Sequence, residues 1–101
     1  MKKTITIVDD HTLFAQSLKR LINSFENYRV IDIFGNGKEL IDDLKEKSAV
    51  PDLILLDIRM PLMDGIQTMT FLKENYPKQR VLALSMEHDE ETIIKMIRQG
   101  C

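Results

Sequence analysis

Short apolar runs alternate with amphipathic segments along the chain. Residues 4–8 and 28–34 are rich in β-branched and aromatic side chains, and residues 80–84 form a similar short run, so each predicts a strand. Residues 53–56 are apolar at every position, which is typical of a strand covered on both faces of a parallel sheet. The pattern therefore predicts four strands, the third of them the most buried.

Each predicted strand is followed by apolar residues at three- and four-residue spacing, the period of an amphipathic helix. Helices are predicted at about 12–25, between the turn at 35–37 and the break at 50–52, from 65 to about 75, and at 90–99. Their predicted inward residues are Phe14, Leu18, Leu21, Ile22 and Phe25; Leu40, Ile41 and Leu44; Ile66, Met69 and Leu72; and Ile93, Ile94 and Ile97. Strand and helix in strict alternation imply right-handed crossovers and an α/β, doubly wound parallel sheet.

Length and charge narrow the classes of function. The 101 residues suit one domain, and 14 basic residues against 16 acidic ones leave no basic face for nucleic acid, so direct DNA contact is not expected. No apolar run reaches the roughly 20 residues that span a bilayer, and the start is not a signal peptide. The one cysteine, Cys101, excludes an internal disulfide. We expect a cytoplasmic protein without membrane contact.

Polar side chains stand at three of the predicted strand ends. Asp9 and Asp10 follow the first strand, Asp57 follows the third and Ser85 the fourth. In a doubly wound sheet the carboxyl ends of parallel strands meet at the edge where ligands bind. Three crowded carboxylates would repel one another unless a cation lies among them, and a hard divalent ion, Mg²⁺ above all, prefers such oxygen ligands.

A structural alternative exists for each acid, because aspartate is a favoured residue at the start of a helix. That explanation would suffice for any single aspartate, but the combination at several strand ends favours a shared site. Glycine-rich phosphate loops are absent, which excludes a P-loop and a dinucleotide fold. His11 and His88 stand at predicted helix starts, where we expect solvent-facing imidazoles in preference to metal ligands.

The sequence closely resembles the receiver domains of bacterial response regulators over its whole length. The resemblance is carried by VDDH at positions 8–11, PDLILLDIRMPLMDG at 51–65 and LSM at 84–86. The stretch 85–90 is also similar to the branch whose members carry a C-terminal helix-turn-helix DNA-binding domain. The family resemblance implies a flavodoxin-like fold with strand order 2-1-3-4 and a role in two-component signalling that controls transcription.

The resemblance also implies residue roles. Asp57 would accept a phosphoryl group from a phosphohistidine on a sensor histidine kinase. Asp10 and Asp57 would bind Mg²⁺ directly, Asp9 largely through a water, and the backbone carbonyl of Arg59 would add an oxygen. Ser85 would hydrogen-bond the phosphoryl group and relay its presence to the fourth helix.

The chain departs from the family pattern at its end. That pattern continues into a fifth strand ending in a lysine and a fifth helix, so residues 1–101 are expected to be a C-terminally incomplete receiver domain. The fourth strand would then be an open edge, which favours association between copies of the chain.

Two other functions remain open at this point. The chain could keep the fold only as an interaction module that is never phosphorylated. It could also be a small phosphatase with an aspartyl nucleophile, but that class needs a second aspartate two residues after the nucleophile, where this chain has Arg59.

Overall fold

The computed structural model describes residues 2–46, 50–57, 65–84 and 89–99. Within these ranges four strands alternate with four helices. In chain order they are β1 (Lys3–Val8), α1 (Thr12–Asn23), β2 (Tyr28–Phe34), α2 (Gly37–Glu46), β3 (Leu53–Asp57), α3 (Gly65–Asn75), β4 (Arg80–Leu84) and α4 (Glu90–Arg98). The predicted alternation of strand and helix is confirmed.

The four strands form one parallel sheet in the order β2-β1-β3-β4. The central pair is β1 and β3, in which Val8 lies beside Leu56. On the other side of β3, Asp57 lies beside Leu84. The predicted flavodoxin-like fold and its strand order are confirmed, and the carboxyl ends of three strands lie level at one edge.

The residues of β3 are buried along the whole strand, as predicted, and they serve both faces of the sheet. Leu53 and Leu55 join a core with α1 and α4, whereas Ile54 and Leu56 join a second core with α2 and α3. Successive strand residues point to opposite faces, so an uninterrupted apolar run supplies both cores. Burying each such side chain stabilises the fold by roughly 1.5–3 kcal/mol.

One predicted core position is wrong. Ile66 is 71% exposed, and Gly65, Thr68 and Leu72 are the buried residues of α3 instead. Positions 65, 68 and 72 lie on one face of the helix because their spacing is three and four, whereas Ile66 is one residue out of phase.

The first helix also ends earlier than predicted, at Asn23 instead of residue 25. The backbone N–H groups of Ser24 and Phe25 donate to Leu21 and Ile22, three residues back, at 3.1 Å each. The Ser24 hydroxyl donates to the Leu21 carbonyl at 2.6 Å. This tightened turn satisfies the last carbonyl groups and leaves Phe25 only half-buried beyond the helix.

The amino edge of the sheet is held by side chains. The Asp52 carboxylate accepts hydrogen bonds from the backbone N–H of Thr4 at 2.7 Å and from its hydroxyl at 3.1 Å. The backbone N–H of Asp52 donates to the same hydroxyl oxygen at 3.0 Å. The Gln79 amide nitrogen donates to the carbonyls of Pro51 and Arg80, each at 3.0 Å. These bonds fix the chain as it enters β3 between β1 and β4.

The described helices also bear on membrane insertion. None of them is both long enough and apolar enough to cross a bilayer.

Candidate functional site

The structure brings Asp9, Asp10 and Asp57 together at the carboxyl edge of the sheet. Asp57 is the last residue of β3, and Asp9 directly follows the adjacent strand β1. Asp9 and Asp57 are each only 6% exposed, whereas the Asp10 side chain is 35% exposed. One carboxylate oxygen from each aspartate and one ring nitrogen of His11 all lie within 4.8 Å of one another.

Backbone pairing fixes these positions. The N–H of Asp9 donates to the carbonyl of Phe34 at 2.9 Å, so the chain leaving β1 stays attached to β2. Asp57 lies within β3 and is aligned with Leu84 of β4. The buried carboxylates are therefore held by the sheet itself, and their crowding is a property of the fold.

Helix capping does not account for this cluster. The residue that precedes α1 is His11, which makes no side-chain cap, and the Asp9 carboxylate accepts the backbone N–H of His11 at 2.8 Å, a group that lies before the helix. Among the described residues, the next helix after Asp57 is α3, Gly65–Asn75, and a capping residue directly adjoins the helix that it caps. In contrast, Asp89 is a true cap, because its carboxylate accepts the N–H of Thr92 at 2.8 Å at the start of α4.

The imidazole of His11 lies against all three acids. Its Nδ1 is 2.9 Å from Asp9, 3.2 Å from Asp10 and 3.7 Å from Asp57, measured to carboxylate oxygens. The hydrogen bond to Asp9, and then the negative charge of Asp10, raise the pKa of His11 above its usual value. The acids therefore favour the protonated, positively charged form of the His11 imidazole over the neutral form.

The sequence prediction for His11 was incomplete. Its side chain is 61% exposed, as expected for a helix start, yet its Nδ1 is directed at the acids. One feature of the sequence could have indicated this contact: His11 directly follows the two aspartates at the end of the first strand. Because the chain turns there, the backbone N–H and the ring of His11 both reach the same Asp9 oxygen.

The donor set suits a hard divalent cation. An octahedral ion with ligands at about 2.1 Å separates neighbouring ligands by about 3.0 Å and opposite ones by about 4.2 Å. Carboxylate oxygens grouped within 4.8 Å are compatible with one such ion after small movements. Asp9 and Asp57 are buried at the base of the site, whereas Asp10 is partly exposed, so the site is open to solvent on one side.

The predicted roles of Arg59 and Ser85 concern positions outside the described residues, as does the prediction for His88. Ser85 follows Leu84 in the sequence, and Leu84 is the residue aligned with Asp57 across the sheet.

Fold and site together define an α/β protein with a doubly wound parallel sheet and an acidic pocket at its carboxyl edge. The model of the family described as response regulator receiver domain matches residues 5–101. The chain belongs to this family, the signalling receivers of two-component systems.

Individual relatives agree with this assignment. The nitrate/nitrite response regulator protein NarL of Escherichia coli K12 is 33% identical over 97 residues, which are 96% of this chain and 44% of that protein. The transcriptional regulatory protein DegU of Brevibacillus brevis is 31% identical over 99 residues, or 98% of this chain and 41% of that protein. The chain therefore spans less than half the length of these relatives.

A solved structure gives the same result at the level of the fold. The signal receiver domain of the putative response regulator NarL from Mycobacterium tuberculosis has a TM-score of 0.75 and 28% sequence identity. The match covers 99% of this chain and 79% of that one.

Proposed function

We propose that this chain is a phosphoacceptor domain in which Asp57 receives a phosphoryl group from a phosphohistidine on a sensor histidine kinase. The observation that carries the proposal is the position of Asp57, buried at the end of β3 and grouped with Asp9 and Asp10 from the end of β1. Buried carboxylates grouped at the carboxyl ends of adjacent parallel strands stand where this class of fold binds its ligands.

Asp57 is well placed as a nucleophile. The paired strands on both sides of β3 hold its backbone, so the carboxylate needs little reorganisation before it reacts. A carboxylate oxygen of Asp57 forms the new bond to phosphorus, while the bond from phosphorus to the histidine nitrogen breaks. That nitrogen keeps the electron pair of the broken bond, and the product is an acyl phosphate on Asp57.

Asp9, Asp10 and Asp57 would hold Mg²⁺, together with the backbone carbonyl of Arg59. When bound, Mg²⁺ neutralises negative charge on the carboxylates and on the incoming phosphoryl group, which is the main requirement of phosphoryl transfer. The chain's own contribution is orientation. Asp9 is fixed by the hydrogen bond that it accepts from the backbone N–H of His11, and the partly exposed Asp10 leaves the pocket open to a partner.

Ser85 is assigned to the phosphoryl group by the family resemblance. The alignment of Asp57 with Leu84 supports this role, because Leu84 immediately precedes Ser85 in the sequence. A hydrogen bond from this hydroxyl would couple the state of Asp57 to β4 and to α4, and such a coupling is a local electrostatic switch.

The central experiment is phosphorylation by a small phosphodonor. The chain is incubated with acetyl phosphate and Mg²⁺, and added phosphate is measured by intact mass and by separation of phosphorylated from unphosphorylated protein. Incorporation is expected in the wild type and is expected to vanish in Asp57→Asn and after chelation of the metal.

A matched control is Asp42→Asn, which changes an exposed aspartate of α2 and should leave incorporation unchanged. Absence of incorporation in a folded wild-type chain would reject the phosphoacceptor proposal and favour the interaction module.

The proposed partners follow from the same assignment. They are a sensor histidine kinase in the cytoplasm, a second copy of the chain, and DNA only through an output domain elsewhere in the full protein that controls transcription. For self-association the supporting feature is β4, which among the described strands pairs only with β3. Sedimentation equilibrium is expected to show dimers, and a monomer at high protein concentration would reject self-association.

A further inference from the structure

We propose that His11 supplies a nitrogen ligand at the acidic pocket, so that the pocket takes a divalent transition metal such as Co²⁺ or Zn²⁺ as well as Mg²⁺. This inference rests on the proposed function, because it places the metal among the same carboxylates of Asp9, Asp10 and Asp57. It goes beyond that function by assigning a new ligand and a new class of metal.

The distances around Nδ1 are those expected between ligands of one ion. Neighbouring ligands lie about 3.0 Å apart around an octahedral ion with bonds near 2.1 Å. They lie about 3.4 Å apart around a tetrahedral ion of similar bond length. The His11 nitrogen is 2.9, 3.2 and 3.7 Å from oxygens of Asp9, Asp10 and Asp57. The imidazole therefore reaches the position of a fourth donor without a change of rotamer.

The backbone holds the imidazole in this place. The N–H of His11 donates to Asp9 at 2.8 Å, and the His11 carbonyl accepts the N–H of Ala15 at 2.9 Å as the first bond of α1. The helix start thus fixes the histidine beside the acids. The outer side of the ring stays exposed, which gives a metal ion a path of entry and exit.

The chemistry of the donors then selects the metal. Magnesium binds oxygen ligands and gains little from imidazole, whereas Co²⁺, Ni²⁺, Cu²⁺ and Zn²⁺ bind imidazole nitrogen well. A pocket with three carboxylates and one imidazole should favour the second group more strongly than three carboxylates alone. The contrasting explanation is that Nδ1 only donates a hydrogen bond to Asp9, in which case His11 would not alter metal preference.

The experiment measures the ratio of the Co²⁺ and Mg²⁺ dissociation constants by calorimetry, in one buffer at one pH for all proteins. The proteins are the wild type, His11→Ala, and the matched control His88→Ala, which removes the only other histidine. Loss of a second-shell partner costs about 10–100-fold in metal affinity, so loss of a direct ligand should weaken Co²⁺ binding at least about tenfold.

The expected result is that His11→Ala lowers the preference for Co²⁺ over Mg²⁺ at least about tenfold, while His88→Ala keeps the wild-type ratio. The visible absorption spectrum of bound Co²⁺ should also change in His11→Ala alone. An unchanged ratio and spectrum in His11→Ala, with Mg²⁺ still bound, would overturn the inference and leave the proposed function intact. Failure of the wild type to bind Mg²⁺ would instead count against the proposed function.

Discussion

Aspartates occupy both edges of the sheet, and the two edges treat them differently. At the amino edge, the carboxylate of Asp52 accepts two hydrogen bonds from Thr4, and the Asp52 N–H returns one to the Thr4 hydroxyl. At the carboxyl edge, Asp9, Asp10 and Asp57 are grouped within 4.8 Å of one another, and His11 lies beside them. Aspartate side chains therefore hold two strands together at the amino edge, whereas at the carboxyl edge they form a cluster of negative charge.

The difference teaches how to separate a structural aspartate from a functional one. A carboxylate surrounded by hydrogen-bond donors of its own chain stabilises the fold and has little left to offer a ligand. Carboxylates crowded against one another repel, and a bound cation relieves this repulsion; such local conflict is expected at functional sites. The comparison predicts that substitutions at the two edges will affect different measurements.

The largest effect is expected from Asp10→Asn, and it concerns the stabilisation of the chain by Mg²⁺. Mg²⁺ at 100 times its dissociation constant should stabilise the wild type by about 2.7 kcal/mol, and Asp10→Asn should lose most of this stabilisation at the same Mg²⁺ concentration. Stability without metal should change little, because the Asp10 side chain is 35% exposed and its charge is partly screened. Urea unfolding with and without Mg²⁺ measures both quantities, and equal Mg²⁺ stabilisation in both proteins would remove Asp10 from the site.

A smaller effect is expected from Asp52→Ala, and it concerns stability that does not depend on Mg²⁺. Loss of the hydrogen bonds to Thr4 should lower the free energy of unfolding by about 1–2 kcal/mol, equally with and without Mg²⁺. The matched control is Asp42→Ala on the exposed side of α2, for which a change within about 0.5 kcal/mol is expected. A loss seen only in the presence of Mg²⁺ would contradict the division between the two edges.

The smallest effect is expected at Asp89, a helix cap that serves as an internal reference for a structural aspartate. The hydrogen bond from the N–H of Thr92 lowers the pKa of Asp89 below its ordinary value of 3.8. Its stabilising contribution is therefore present above that pH and is lost as the pH falls through the lowered pKa. Asp89→Asn keeps a capping oxygen without titrating, so the stability of the wild type relative to this variant should decline in acid.

Thermal unfolding of both proteins over a pH series measures this decline. A difference that stays constant from neutral to acidic pH would show that the ionised Asp89 carboxylate contributes nothing beyond the cap itself.

Much of the fold could be predicted from local pattern. The uninterrupted apolar run of β3 marked it as a strand buried on both faces, and the structure distributes its residues between two cores. The convergence of Asp9, Asp10 and Asp57 was predictable for a related reason. Parallel strands bring their carboxyl ends to one edge, so the last residues of neighbouring strands must meet.

Other features depend on geometry that a one-dimensional pattern does not contain. Ile66 is apolar yet exposed, because the face that α3 turns to the sheet is set by Gly65, Thr68 and Leu72 together. The pairing of Thr4 with Asp52 joins positions 48 residues apart, and only the register of β1 with β3 makes them neighbours.

The sequence by itself determined the alternation of strands and helices, the strand order through its family resemblance, and the edge at which the acids lie. Only the tertiary structure decided that the His11 ring turns back onto those acids. Its position after Asp9 and Asp10 was visible in the sequence, but its direction depends on the turn between β1 and α1, which the sheet and the first helical hydrogen bond fix together. Composition and spacing select the elements, whereas side-chain direction at their junctions follows from how those elements pack.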